Sequence, residues 1–496
     1  MVELLEEYQK RVEKLEDQIE SLFETINILR QELKEEKAKR EELVKENLKL
    51  RKDLVTANQT IENLTVRIKK NSSNSGKPSS TDSIYTKKVH NFREKTNRKI
   101  GGQKGHKGHT IEMSKEPTKV IEKKVEYCDC GGHVENKKTY KAKQVVDIRI
   151  EVDVVEERVY EGNCSECGKY HTEKFSEEFK NPVQYGNNIK VLTTLLLDEG
   201  YVSLNRCAKI IKDITRGRIQ VTEGAMINFK REIESKSTEA IEQIRQELIK
   251  AQLLHVDETG ARVTGELGWL HTLTTSTHTL YQIKNNRDPQ KADELKILPY
   301  YVGTLVHDHL KSYYKYNAIR HAECNIHILR YLKAVIETLK RKRAQEMLEF
   351  LLKIKEEKEK AIQEGKTAFT EEKINEIEIE YLRILEAWGK DNEKNKRKGK
   401  ALKEEKLLIA RLKEYKEEHL LFVKDFKVPF DNNVAERALR PIKTKLKVSG
   451  GFRGKDKGRN FAVIRSVIET AKKHEMNLHE TITKILNGEK VQFETA

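Results

Sequence analysis

Three acidic residues of this 496-residue sequence stand where carboxylates can do metal chemistry. Leu253-Leu254-His255-Val256-Asp257 is an apolar run that ends in an acid and continues into Glu258-Thr259-Gly260. Val302-Gly303-Thr304-Leu305-Val306-His307-Asp308 repeats the pattern, and Asp431-Asn432-Asn433-Val434-Ala435-Glu436-Arg437 opens a helix with Asp431 as N-cap and Glu436 one turn in. Two carboxylates at the ends of adjacent strands and a third on a helix can converge on two divalent cations. Mg²⁺ or Mn²⁺ takes hard oxygen ligands and keeps positions open for water and phosphate oxygens. Such a pair activates a water or a 3′-hydroxyl and stabilises the leaving oxygen in phosphoryl transfer. A lone acid at a strand end is more often a turn cap, so the weight lies on all three together.

The elements that must position these acids are legible around them. Trp269–Leu273 and Thr279–Ile283 read as two further strands. The order of three strands, helix, strand, helix predicts a ribonuclease-H-like α/β core. Along a strand, alternate side chains share a face, so His255 belongs on the face of Asp257 while His307 points away from that of Asp308. The 127 residues between Asp308 and Glu436 exceed what this core needs, and their composition predicts an all-helical insertion from Cys324, with a basic patch at Lys394–Lys400. Cys324 and His327 supply two metal donors, too few for a site, and helix packing is their default role. After Glu436, residues 437–459 hold nine bases against one acid and a flexible loop around Ser449–Gly454. Arg262, Lys311, Arg437, Arg440, Lys443 and Arg453 could hold phosphates near the metal ions. Asn432 and Asn433 either bond the DNA backbone or orient Glu436.

A second donor set is Cys128, Cys130, Cys164 and Cys167, with Val-rich alternation over Lys143–Tyr160 between the pairs. Two knuckles joined by a hairpin predict a zinc-ribbon-like domain with one structural Zn²⁺ on four thiolates. The first pair is one residue short, and His133 or His171 could substitute there. Leu204–Lys212 and Thr222–Ile233, split by a turn at Arg216-Gly217-Arg218, form a helix-turn-helix-like pattern that suits DNA. Residues 71–110 carry nine bases and two acids, and in GGQKGHKGH the side chains of Lys104, His106, Lys107 and His109 can approach phosphates. The alternative there is a solvated linker.

The N-terminal 70 residues contain neither Gly nor Pro. A heptad with a at Leu5, Val12 and Ile19 and d at Tyr8, Leu15 and Leu22 holds its phase to Ile68, with Asn47 at an a position. That pattern favours a parallel two-stranded coiled coil and hence a homodimer or higher oligomer. The whole chain is 36% hydrophobic and 35% charged, with a net charge of +16. No apolar run approaches the ~20 residues of a membrane span, and the acidic N-terminus is no signal peptide. Six cysteines in this length fit a reducing compartment better than a disulfide scaffold. A cytoplasmic, nucleoid-associated protein with a polyanionic partner is expected.

HVDETGAR, LVHDHLKSYYKY and DNNVAERALRP resemble the acidic triad of the DDE transposases of the insertion sequence 66 family. The resemblance extends to NSSNSGKPSS with GGQKGHKGH, the cysteine cluster, Val183-Gln184-Tyr185-Gly186 and Cys324-Asn325-Ile326-His327, and so covers nearly the whole chain. It implies Asp257, Asp308 and Glu436 as catalytic residues. It also implies binding to the element's terminal inverted repeats and to target DNA, with small accessory proteins of the same element as further partners. Cys128-x-Cys130 departs from the family's C-x-x-C first knuckle, which leaves zinc less secure than the triad. The domains expected are a coil (1–70), a basic linker (71–119), a zinc ribbon (120–178), the helix-turn-helix-like module (179–248), a catalytic core in two parts (249–323 and 426–496) and the helical insertion (324–425).

Overall fold

The computed structural model describes residues 1–71, 74–75, 111–285, 287, 296–393 and 399–493. Along the chain come helix α1 (Val2–Lys69), strands β1 (Glu161–Asn163) and β2 (Tyr170–Thr172), and helices α2 (Asn187–Thr194), α3 (Leu204–Ile214), α4 (Glu223–Lys236) and α5 (Thr238–Lys250). Five strands follow: β3 (Leu253–Val263), β4 (Glu266–Thr274), β5 (Thr279–Lys284), β6 (Thr304–His307) and β7 (Arg320–Glu323). Then come α6 (Asn325–Leu339), α7 (Lys342–Gln363), α8 (Glu371–Glu393), α9 (Lys400–Glu414) and α10 (Lys416–Lys424). The chain closes with α11 (Asn433–Ser449), α12 (Lys455–Lys473) and α13 (Leu478–Asn487). It is a mixed α+β protein that divides into two units, Met1–Val89 with Asn325–Phe426 and His90–Cys324 with Lys427–Ala496.

In the first unit, α1 runs 68 residues without a break, about 100 Å at ~1.5 Å per residue. Its seam residues, Leu15, Leu22 and Leu29 among them, remain exposed. Near its end Lys70 pairs with Glu404 of α9 at 2.6 Å. Helices α6–α10 bury Leu332, Met347, Tyr381, Trp388 and Leu412 against one another, and Glu405 takes both Arg341 at 2.9 Å and the Trp388 indole at 2.8 Å. Of the basic patch, 394–398 lies outside the described residues. No helix among the described residues is long and apolar enough to cross a membrane.

The second unit is built on a five-stranded mixed sheet in the order β5-β4-β3-β6-β7. β3, β4 and β5 form an antiparallel meander, while β6 and β7 run parallel to β3. Leu254, Val256, Leu273, Leu280 and Leu305 pack with Ile244 and Leu248 of α5, Val467 and Ile468 of α12 and Ile485 of α13. Farther along β3, Ala261 and Val263 meet Leu439 and Ile442 of α11, Phe452 and Phe461. β5 is an edge, and α12 covers it. Ser466 Oγ accepts from the Tyr281 N–H at 2.9 Å, and Thr470 Oγ1 accepts from that of Thr279 at 3.1 Å. An open ladder is thereby closed to other strands. The helix expected between β5 and β6 is described only as a short 3₁₀ turn, Leu298–Tyr300, because 288–295 lie outside the described residues.

Three expectations are corrected by this architecture. Lys143–Tyr160 forms no strand: Val145, Ile148 and Val154 are each more than 80% exposed, and the hairpin begins only at Glu161. Alternating β-branched residues fit a pleated surface, but a ladder also needs a neighbour for its backbone groups. Nor is the Ser449–Gly454 loop loose. Phe452 is buried, its N–H donates to Arg262 O at 2.7 Å, and its carbonyl accepts from the Thr264 N–H at 2.8 Å. Gly451 makes this approach possible, for a Cβ there would stand 2.6 Å from Arg262 O on a backbone of φ +148°. Gly451→Ala is expected to cost about 2–3 kcal/mol, from overpacking plus backbone strain, measured as a lowered urea midpoint. The third correction concerns Asp257, which does not end its strand: β3 continues six residues beyond it to Val263.

Candidate active site

The register of the sheet places the first two acids. His255 pairs with Val306 across the parallel β3–β6 ladder, so two residues further on Asp257 lies level with Asp308, the first residue past β6. It is β6 that stops there, while β3 goes on with β4 alone. Both acids are half-buried. Burial first, then the neighbouring Asp308 and Glu258, hold the Asp257 carboxyl well above the usual carboxylate range, against a smaller opposing pull from Lys443. Asp257 Oδ1 accepts from the Glu258 N–H at 2.8 Å. Two carboxylates crowded in a poorly solvated notch are stabilised by a cation, and their hard oxygens suit a divalent one.

Glu258 points to the other face of β3 and is an acid that sequence reasoning passed over as a neighbour. Its side chain is 1% exposed and pairs with Arg287 Nη2 at 2.8 Å, while the Tyr313 hydroxyl donates to it at 3.3 Å. Burial, with Asp308 next, pushes its carboxyl up to about 7. Arg287 also stacks over the Trp269 ring at 4.9 Å. The available signal was an acid continuing an apolar strand pattern without a turn residue after it.

The third acid is set by Asn432, which takes the N-cap position of α11 expected of Asp431. Asn432 Nδ2 donates to Val256 O at 2.8 Å and its Oδ1 meets His255 Nδ1 at 2.8 Å. Its N–H points at Cys324 Sγ at 3.3 Å, and its carbonyl accepts from the Glu436 N–H at 3.1 Å. One buried amide thus fixes the first turn of α11 to β3 on the face His255 shares with Asp257. Asn432 is 2% exposed, and its side-chain bonds all run to β3. Asn433 is half-buried, with its N–H donating to Asp431 Oδ1 at 3.0 Å. The Glu436 carboxylate lies within 4.8 Å of Cys324 Sγ, just past β7. The structure therefore couples Asp257 to Asp308 and carries Glu436 on α11 to Cys324, and among the described residues the three carboxylates do not gather within 4.8 Å.

Arg262, Lys311, Arg437, Arg440, Lys443 and Arg453 are all exposed. Glu436, Arg440 and Lys443 follow the i, i+4, i+7 spacing of one helix face. His307 is buried, bonded to His321 at 3.1 Å, and pushed by burial down to about 4. Lys104, His106, Lys107 and His109 lie outside the described residues. Each cysteine pair shapes a turn of its own: Cys128 N–H donates to Gly132 O at 2.8 Å, and Cys164 N–H to Lys169 O at 2.8 Å. Backbone N–H groups lower the Cys130 thiol (that of Gly132 first) and the Cys164 thiol (that of Cys167 first), which favours thiolates. No three of the four sulfurs meet within 4.8 Å.

Residues 191–460, just over half of the chain, match the family model described as Transposase IS66 family. The chain belongs to the IS66 transposase family. A second model, for a family of unknown function (DUF6444), matches residues 25–112, and no curated protein matches the chain. The span shared with the IS66 family takes in Asp257, Asp308 and Glu436 together with the basic face of α11, and it begins after the cysteine turns. Membership makes this IS66-family chain a DNA-processing transposase in kind, and divalent metal use comes with that kind.

Proposed function

We propose that the chain is a DDE-type transposase that binds the terminal inverted repeats of its own insertion sequence and catalyses metal-dependent strand cleavage and strand transfer. The observation that carries this reading is the Asp257–Asp308 pair, level on adjacent parallel strands, with the Asp257 carboxyl raised by burial and by its neighbour. The strand order of the sheet and its mix of parallel and antiparallel pairs support a ribonuclease-H-like core. Asp257, Asp308 and Glu436 are the residues that would hold two Mg²⁺ or Mn²⁺ ions. When bound, such ions supply Lewis acidity toward the scissile phosphate and lower the pKa of a bound water or 3′-hydroxyl. The chain's own contribution is placement: Asn432 fixes the helix of Glu436, and Arg262, Lys311, Arg437, Arg440, Lys443 and Arg453 hold phosphates beside the acids.

The exposed heptad seam of α1 supports a parallel coiled coil that pairs two copies and so two element ends. Cys128, Cys130, Cys164 and Cys167 would hold one structural Zn²⁺, with the turns at Gly131 and Gly168 shaping the two halves. Action on DNA in the cytoplasm, at the nucleoid, follows from the same reading, with accessory proteins of the element as further partners. The test is a cleavage assay on element-end DNA with Mg²⁺ or Mn²⁺, followed by strand transfer from a pre-cleaved end. Cleavage and joining are the expected results. Tight binding without cleavage would mark a DNA-binding scaffold, and cleavage without joining would mark a nuclease.

A further inference from the structure

A hydroxyl beside Asp257 has no explanation in the fold alone. Thr272 of β4 stands directly across from Asp257 in antiparallel register. Both side chains leave the same face of the sheet, with their Cβ atoms about 5 Å apart. Thr272 is 1% exposed, and its buried Oγ1 has no hydrogen-bond partner among the described residues. Thr274, two residues on along the same face of β4, has its Oγ1 engaged with Thr279 Oγ1 at 2.8 Å. A stranded hydroxyl in a core costs stability, and valine would fill the same volume without that cost. The hydrogen bonds of the fold do not account for this hydroxyl.

We infer that Thr272 is a positioning residue of the cation site, donating its hydroxyl proton to Asp257 Oδ2 when the acids hold a divalent ion. Oδ1 of Asp257 already accepts from the Glu258 N–H, so a bond to Oδ2 would fix the carboxylate plane at both oxygens. Outer hydrogen bonds of this kind orient metal ligands, and losing one typically costs 10–100-fold in metal affinity. The inference rests on the divalent-ion reading given above, and its test separates the two.

The experiment compares full-length wild type, Thr272→Val and Thr272→Ser by thermal unfolding, first in chelator and then across a Mn²⁺ titration. In chelator, Thr272→Val is expected to melt at or above wild type, because an unsatisfied hydroxyl has been removed. Its Mn²⁺ midpoint for stabilisation should rise roughly 10-fold or more, with Thr272→Ser close to wild type. Cleavage by Thr272→Val should then recover in part at high Mn²⁺, the signature of weakened metal binding. A Mn²⁺ midpoint equal to wild type, or a large loss of melting temperature in chelator, would assign Thr272 to packing and overturn the inference alone. A wild type that gains nothing from Mn²⁺ would overturn both it and the divalent-ion reading.

Discussion

Asp257→Asn is expected to lower metal-dependent cleavage by about 10³-fold or more, roughly 4 kcal/mol of transition-state stabilisation, with DNA binding retained. Asp308→Asn and Glu436→Gln should behave alike, since each removes the charge of a metal ligand and no DNA contact. A second signature sets Asp257 apart. Burial and Asp308 raise its carboxyl in the folded state, so folding favours the protonated form. The stability this contributes is present below the unfolded-state pKa, ~3.9, and is lost as pH rises through the raised folded value. Without cation, Asp257→Asn should therefore unfold at higher denaturant than wild type near neutral pH, and the gap should close toward pH 4. Paired cleavage and unfolding curves read both effects. Near-normal cleavage by any of the three variants would remove that residue from the site.

How much of this was legible beforehand differs residue by residue. The strands around Asp257 and Asp308 were readable because buried parallel strands are continuous apolar runs that chemistry interrupts. The true extent of β3 was not, since its last six residues, Glu258–Val263, are held by an antiparallel neighbour, and a mixed polar sequence carries no sign of which strand will lie beside it. The same limit explains Lys143–Tyr160, whose alternation is right for a sheet but which pairs with no strand among the described residues. Glu258 and Thr272 were invisible for a different reason. Their significance depends on cross-strand register and on burial, the one making Thr272 the neighbour of Asp257, the other raising a carboxyl beside Arg287. The Ser449–Gly454 loop misled because glycine permits both flexibility and close approach, and only the neighbouring Arg262 carbonyl decides between them.

Asn432 gives the second large effect. Replacing it with alanine removes a buried amide and strands two groups at once, Val256 O and His255 Nδ1. Each buried group left unsatisfied costs about 1–3 kcal/mol, so a loss of roughly 2–4 kcal/mol is expected in urea unfolding. The functional loss should exceed what unfolding explains. With its clasp to β3 gone, the first turn of α11 can swing, and Glu436, four residues along, moves with it. Small displacements of a positioning element cost on the order of 100-fold, so cleavage well below the unfolding midpoint should drop by about that factor while DNA binding persists. Asn433→Ala is the internal comparison: it removes a half-buried amide whose partner Asp431 stays accessible to water, and about 0.5 kcal/mol or less is expected. Should Asn432→Ala keep its stability and lose DNA affinity instead, the amide would belong to the DNA contact and not to the helix that carries Glu436.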